Sequence, residues 1–141
     1  MPEGARRNPL RPSRLVAGMA LMVVVSITVN VLLNVLAPGS AEELDFVNVQ
    51  HAAALKSTLA TLAGAVAGAL VAGRGFLWAA WALWAMQWVA LVQVLVRMEE
   101  ASTLLVLRSN NLAIAGTLLA TTFGVWIGQR WARARTASKS L

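Results

Sequence analysis

Cysteine is absent from the 141 residues, which excludes disulfides, thiol redox chemistry and cysteine metal sites. Histidine occurs once, at His51, so no second axial histidine exists for a haem, and one imidazole among loop carboxylates gives no metal-ligand spacing. Charge is scarce: 13% of the residues are Asp, Glu, Lys or Arg, where soluble domains carry roughly a quarter. None of the long apolar runs contains a carboxylate. General acid–base and nucleophilic catalysis need a positioned acid or base, and proton-coupled export of the small four-helix kind wants a carboxylate within the membrane. The phosphate-cradling pattern G-x-x-x-x-G-K-[ST] is missing too, and the glycines are spaced for helix packing. These absences predict a protein that is not an enzyme and holds no cofactor or metal.

What is present is apolar. Hydrophobic residues make up 58% of the chain and the mean hydropathy is +0.66. A soluble domain of this length has no interior large enough to hide so much apolar surface. A helix needs roughly 20 mostly apolar residues to cross the hydrocarbon core, and four segments meet or approach this: Leu15 to Ala37, Ala52 to Gly73, Phe76 to Val96 and Thr103 to Ile127, with Leu112 to Gly128 as the shorter alternative for the last and Arg108 then in the interface. The sequence therefore predicts an all-α integral membrane protein, a four-transmembrane-helix bundle of two antiparallel hairpins spanning residues 15–128. A basic lead-in (1–14) and a basic, loose tail (129–141) flank it. Gly39-Ser40-Ala41 resembles a signal-peptide cleavage site, but the apolar run before it exceeds the roughly 7 to 15 residues of such peptides, so an uncleaved helix is expected.

The charges orient the bundle. Four spans put both termini on one side, together with the turn at Arg74. That side holds Arg6, Arg7, Arg11, Arg14, Arg74, Arg130, Arg133, Arg135 and Lys139 against Glu3, a net charge of +8. The other side holds Lys56, Arg97 and Arg108 against Glu42, Glu43, Asp45, Glu99 and Glu100, a net charge of −2. Basic residues near span ends stay cytoplasmic, so both termini should lie inside a membrane of the bacterial inner (cytoplasmic) type. Arg130, Arg133 and Arg135 leave the bilayer directly and are expected to meet anionic lipid headgroups rather than nucleic acid.

Two kinds of packing surface stand out. Segment two carries Ala60, Gly64, Gly68 and Ala72 at four-residue spacing beside a second row of Ala53, Ser57, Thr61, Ala65, Ala69 and Gly73, and segment four repeats the device with Gly116, Ala120, Gly124 and Gly128. Small residues on such ridges let helix backbones approach closely in lipid. Segment three carries the opposite, WAAWALWAMQW, in which Trp78, Trp81, Trp84 and Trp88 fall within about a third of the helix circumference. Folding a hairpin at Arg74 sets Trp81, Trp84 and Trp88 level with Ala67, Gly64 and Ala60, so a large-residue ridge against segment two is expected. Trp78, Trp126 and Trp131 suit an interfacial belt. Trp88 is too deep for one, and its indole N–H needs an acceptor on another helix.

Polar residues inside spans are expensive and mark a functional site or an interhelical bond. Here they gather in the outer half of the bundle: Ser26, Asn30 and Asn34; Lys56 and Ser57; Gln93 and Arg97; Arg108, Ser109, Asn110 and Asn111. In one reading they cross-link helices, with Lys56, Arg97 and Arg108 pairing with Glu99, Glu100 and Asp45. In the other, Asn30, Asn34, Lys56, Arg97, Arg108, Asn110 and Asn111 line an outward-open vestibule for an anion, a lipid headgroup or a polar solute. The corresponding functions are a non-catalytic subunit or scaffold packed with other membrane chains, and a small oligomeric channel or transporter.

Overall fold

The computed structural model describes residues 12–37, 46–99 and 102–137, and among them all regular structure is helical. The lead-in before residue 12, the acidic stretch with Glu42, Glu43 and Asp45, Glu100 and Lys139 lie outside the described residues, as do the ion pairs expected of those acids. Five helices follow in order: α1 (Pro12–Leu36), α2 (Phe46–Ala72), α3 (Phe76–Glu99), α4 (Thr103–Ser109) and α5 (Asn111–Ala137). Four of them, all but α4, are long and apolar enough to cross a membrane.

Helices α1 and α2 begin earlier than expected, at Pro12 and Phe46, and two further differences bear on the site. The segment expected from Thr103 to Ile127 is broken at Asn110, which ends α4 and at once starts α5: its N–H bonds the Val106 carbonyl at 3.1 Å while its own carbonyl accepts from Ile114 N–H at 2.9 Å. Ser109 and Asn110 side chains also donate to the Val106 carbonyl oxygen, the local competition for backbone groups that makes such residues helix breakers. Ser102 caps the short helix by accepting from Leu105 N–H at 3.3 Å. The second difference is the tail, expected to be loose from Gln129: α5 instead continues through Arg130, Arg133 and Arg135 to Ala137.

Large residues point outward and small ones inward, the reverse of a water-soluble bundle. Val24, Ile27, Val31, Leu119 and Phe123 are exposed, whereas the interior is built from Ala60, Ala65, Ala69, Ala72, Ala80 and Ala120 with Met22, Phe76 and Val125. Hydrocarbon solvates the outer side chains as well as a protein core would, so association rests on close backbone approach.

α2 lies between α1 and α5 and uses one small-residue row for each. Toward α1, a Cβ on Gly68 would stand 2.7 Å from the Gly18 carbonyl oxygen, and one on Gly18 would stand 2.8 Å from the Gly68 oxygen. Further along, Gly64 abuts Ser26 and the Met22 carbonyl, so the two helices run antiparallel. Toward α5, Gly116 meets Thr58, Gly124 meets Ala65 and Leu62, and Gly128 meets Ala69 and Val66, a rising register that makes α2 and α5 parallel.

The α2–α3 turn is closed by Gly73 and Gly75, with φ of 73° and 87°. Gly73 in this left-handed conformation ends α2 through a bond to the Ala69 carbonyl at 2.9 Å, and Gln129 of α5 donates to the Gly73 carbonyl at 3.2 Å. The turn, the start of α1 and the end of α5 therefore share one end of the bundle. α3 then plants Phe76, fully buried, on the Gly18–Gly68 crossing.

Candidate functional site

The tryptophan row does not face α2. α3 meets α2 little and packs against α5 instead, where three indoles find hydroxyl acceptors. Trp81 Nε1–H donates to Thr122 Oγ1 at 3.2 Å; Trp84 and Trp88 both donate to Thr117 Oγ1 at 3.0 Å. Thr117 is 3% exposed, and its hydroxyl also lies 2.7 Å from the Ala113 carbonyl and 3.2 Å from that of Ile114. One hydroxyl carries one proton and two lone pairs, so two accepted bonds and one donated bond saturate it. The reason for the different partner is spatial: α1 and α5 occupy both grooves of α2 at glycine-limited separations, leaving no width for an indole there. Trp78 is exposed and stands edge-on to Trp81 with centroids 5.3 Å apart.

The seven polar residues expected to form one vestibule are divided among three places. On the α1 side of α2, Lys56 Nζ donates to the Ala37 carbonyl at 2.6 Å and to Asn34 Oδ1 at 3.3 Å, while Asn34 Nδ2 donates to Asn30 Oδ1 at 2.7 Å. Ala37 follows the last turn of α1, so its carbonyl is one of the acceptors that a helix end leaves without a partner, and an ammonium there also meets the negative pole of the helix dipole. Asn30, Asn34 and Lys56 thus act as a C-terminal cap for α1.

Arg108, Asn110 and Asn111 line a separate cleft of about 420 Å³, together with Gln50, His51 and Ser57 of α2 and Trp88 and Leu91 of α3. Arg97 belongs to a third place, a trough between α3 and α4 of about 470 Å³. The acids expected to pair with Arg97 and Arg108, namely Glu99, Glu100 and Asp45, have side chains that lie outside those described.

The helix-packing residues occupy distinct interfaces: Gly64 and Gly68 meet α1, Gly116 and Gly124 meet α2, Trp81, Trp84 and Trp88 meet α5, and Ala60 is buried. At the turn end of the bundle, Arg130 stacks over the Trp126 ring at 5.4 Å, and Arg133 lines a small cleft with Trp126, Gln129 and Arg130. Arg135 lies one half-turn further along the same exposed helix end.

Two groups of residues escaped the sequence reading. Thr117 and Thr122 are small polar residues in an apolar run, spaced to meet the Trp81-to-Trp88 row in antiparallel register, a signal that was there to be phased. Gln87 lies inside the quoted tryptophan stretch, at the midpoint of the apolar stretch Phe76–Met98; it is exposed and hydrogen-bonds to no described residue. No known protein family matches the chain, and neither a curated protein nor a solved structure matches it.

Proposed function

We propose that this chain is a non-catalytic subunit or scaffold of a membrane assembly, and that α3 offers the face on which another membrane chain packs. The observation that carries this reading is Gln87. A carboxamide held at mid-span against hydrocarbon leaves two donors and two acceptors unsatisfied, a cost that an amide or hydroxyl from a neighbouring helix removes. Around it, Met86, Ala90 and Val94 complete an exposed face on the side of α3 away from the Trp–Thr contacts.

The bundle itself is then two antiparallel hairpins, α1 with α2 and α3 with α5, joined through the α2–α5 contact. Both termini face the cytoplasm of a bacterial-type inner membrane. What supports this orientation is the company at the turn end: Arg14, Arg74, Arg130, Arg133 and Arg135 with the exposed Trp78, Trp126 and Trp131, a basic and aromatic girdle suited to anionic headgroups.

Purification of the full chain from its own membrane in mild detergent should bring a second membrane chain with it. Gln87→Leu should lower the yield of that chain about fivefold while the thermal unfolding of the bundle stays in place. A partner-free monomer, or equal recovery with Gln87→Leu, would overturn the reading.

A second reading, a small channel or solute-binding protein, is favoured by the cleft in which Arg108, Asn111 and His51 surround about 420 Å³. It requires Arg108→Ala to abolish flux or ligand binding in reconstituted vesicles with expression and melting intact; a change in stability alone sinks it.

A further inference from the structure

The trough between α3 and α4 has a length, a lining and a charge that belong together. Its floor and walls are Trp88, Val89, Val92, Val96 and Leu107 with the carboxamide of Gln93, and its mouth carries Arg97 and Thr103. Along α3 the nine steps from Trp88 to Arg97 rise about 13 Å. Trp88 adjoins the midpoint of the spanning stretch Phe76–Met98 and Arg97 closes its end, so the trough runs from the membrane surface to mid-membrane and stops. That is close to one leaflet of a hydrocarbon core about 30 Å thick.

A transmembrane helix from another chain would need a groove continuing through both leaflets. An acyl chain needs only one. Gln93 is the one polar side chain on the walls between Trp88 and Arg97, and the rest of that length is apolar, so an acyl chain fills the trough better than water does. Arg97 is the one cation among the lining residues and stands at the surface end, where Thr103 also lines the trough. A guanidinium and a hydroxyl at the mouth of a one-leaflet trough match a phosphate above an acyl chain.

We propose that this trough is a binding site for one anionic phospholipid, its phosphate held by Arg97 with Thr103 and one chain laid along Val96 and Val92 down to Trp88. The site lies at the opposite end of the bundle from Arg130, Arg133 and Arg135. It faces away from Gln87 on α3, so it stands whether or not another chain packs there.

Native mass spectrometry of the full chain, titrated with palmitoyl-oleoyl phosphatidylglycerol or with phosphatidylcholine of the same chains, tests it. The wild type should retain one phosphatidylglycerol in preference to phosphatidylcholine. Arg97→Gln should reduce that preference about fivefold, Arg97→Lys should largely keep it, and Val92→Trp, which fills the trough, should abolish retention. Because Val92→Trp can disturb α3, a fluorescence measurement stands beside it. In phosphatidylcholine vesicles containing a minor fraction of phosphatidylglycerol brominated at mid-chain, tryptophan quenching should be stronger for the wild type than for Arg97→Gln. Equal retention of the two lipids, equal quenching of the two proteins, retention undiminished in a folded Val92→Trp, or a lipid-free dimer would each overturn the proposal.

Discussion

Gly124→Leu should separate α5 from α2 and lower the stability of the bundle by about 3 kcal/mol, the upper range for overpacking a close interface. Even the first added carbon has nowhere to go: a Cβ at position 124 would stand 2.7 Å from Ala65 Cβ and 2.8 Å from the Leu62 carbonyl oxygen. The Leu62 oxygen is backbone of a helix held on its other face by α1, so it cannot retreat without moving both neighbours. Gly124→Ala should therefore already cost about 1 kcal/mol or more, with the sign opposite to the usual helix-propensity gain of alanine over glycine. Two comparisons isolate the cause. Gly116→Ala meets the Thr58 hydroxyl rather than backbone and should be milder, and Ala115→Leu, on an exposed position of the same helix, should be neutral. Unfolding in graded mixtures of a denaturing and a mild detergent gives all four values. A Gly124→Leu variant as stable as wild type would show that α2 and α5 do not cross at this point.

The elements were legible in the sequence for a simple reason: lipid imposes length and apolarity on any crossing helix, and both can be counted. The small-residue rows of α2 were legible as rows for the same reason, because only glycine and alanine permit backbone contact. Their assignment was not. A row at four-residue spacing states that something approaches closely without stating which helix, and the short Gly73-Arg74-Gly75 turn suggested α3. The structure gives the rows to α1 and α5, which bring glycines of their own, Gly18 on one side and Gly124 and Gly128 on the other. Indoles cannot enter a crossing at that separation, so α3 is displaced onto the threonine face of α5. The seven polar residues expected around one vestibule are divided by rotation. Lys56 and Ser57 are neighbours in sequence but about 100° apart on the helix, enough to send one to the end of α1 and the other to the cleft beside Arg108. The break at Asn110 was written in Ser109-Asn110-Asn111, three residues able to bond nearby backbone, inside a stretch that hydropathy alone would join into one helix.

Thr117→Val should lower stability by about 1 to 2 kcal/mol, a large effect for the loss of one oxygen atom, because that oxygen serves two indoles at once. Valine keeps the shape of threonine and removes the acceptor, so Trp84 and Trp88 keep their packing and lose the hydrogen bonds they make to Thr117. In water such N–H groups would be solvated; between two packed helices in hydrocarbon the deficit remains. Nearby threonines separate this from a general effect of replacing hydroxyls. Thr121 is fully buried but only donates to the carbonyl one turn back, so Thr121→Val should cost little. Thr122→Val should affect Trp81 alone. Indole 15N–1H correlation spectra resolve these cases, since each of the six tryptophans contributes one signal. Two signals should move in Thr117→Val, one in Thr122→Val and none in Thr121→Val beyond small ring-current changes. If Thr117→Val leaves all six signals in place, the indoles of α3 are held by something other than this hydroxyl, and the contact that attaches α3 to α5 has been assigned to the wrong atoms.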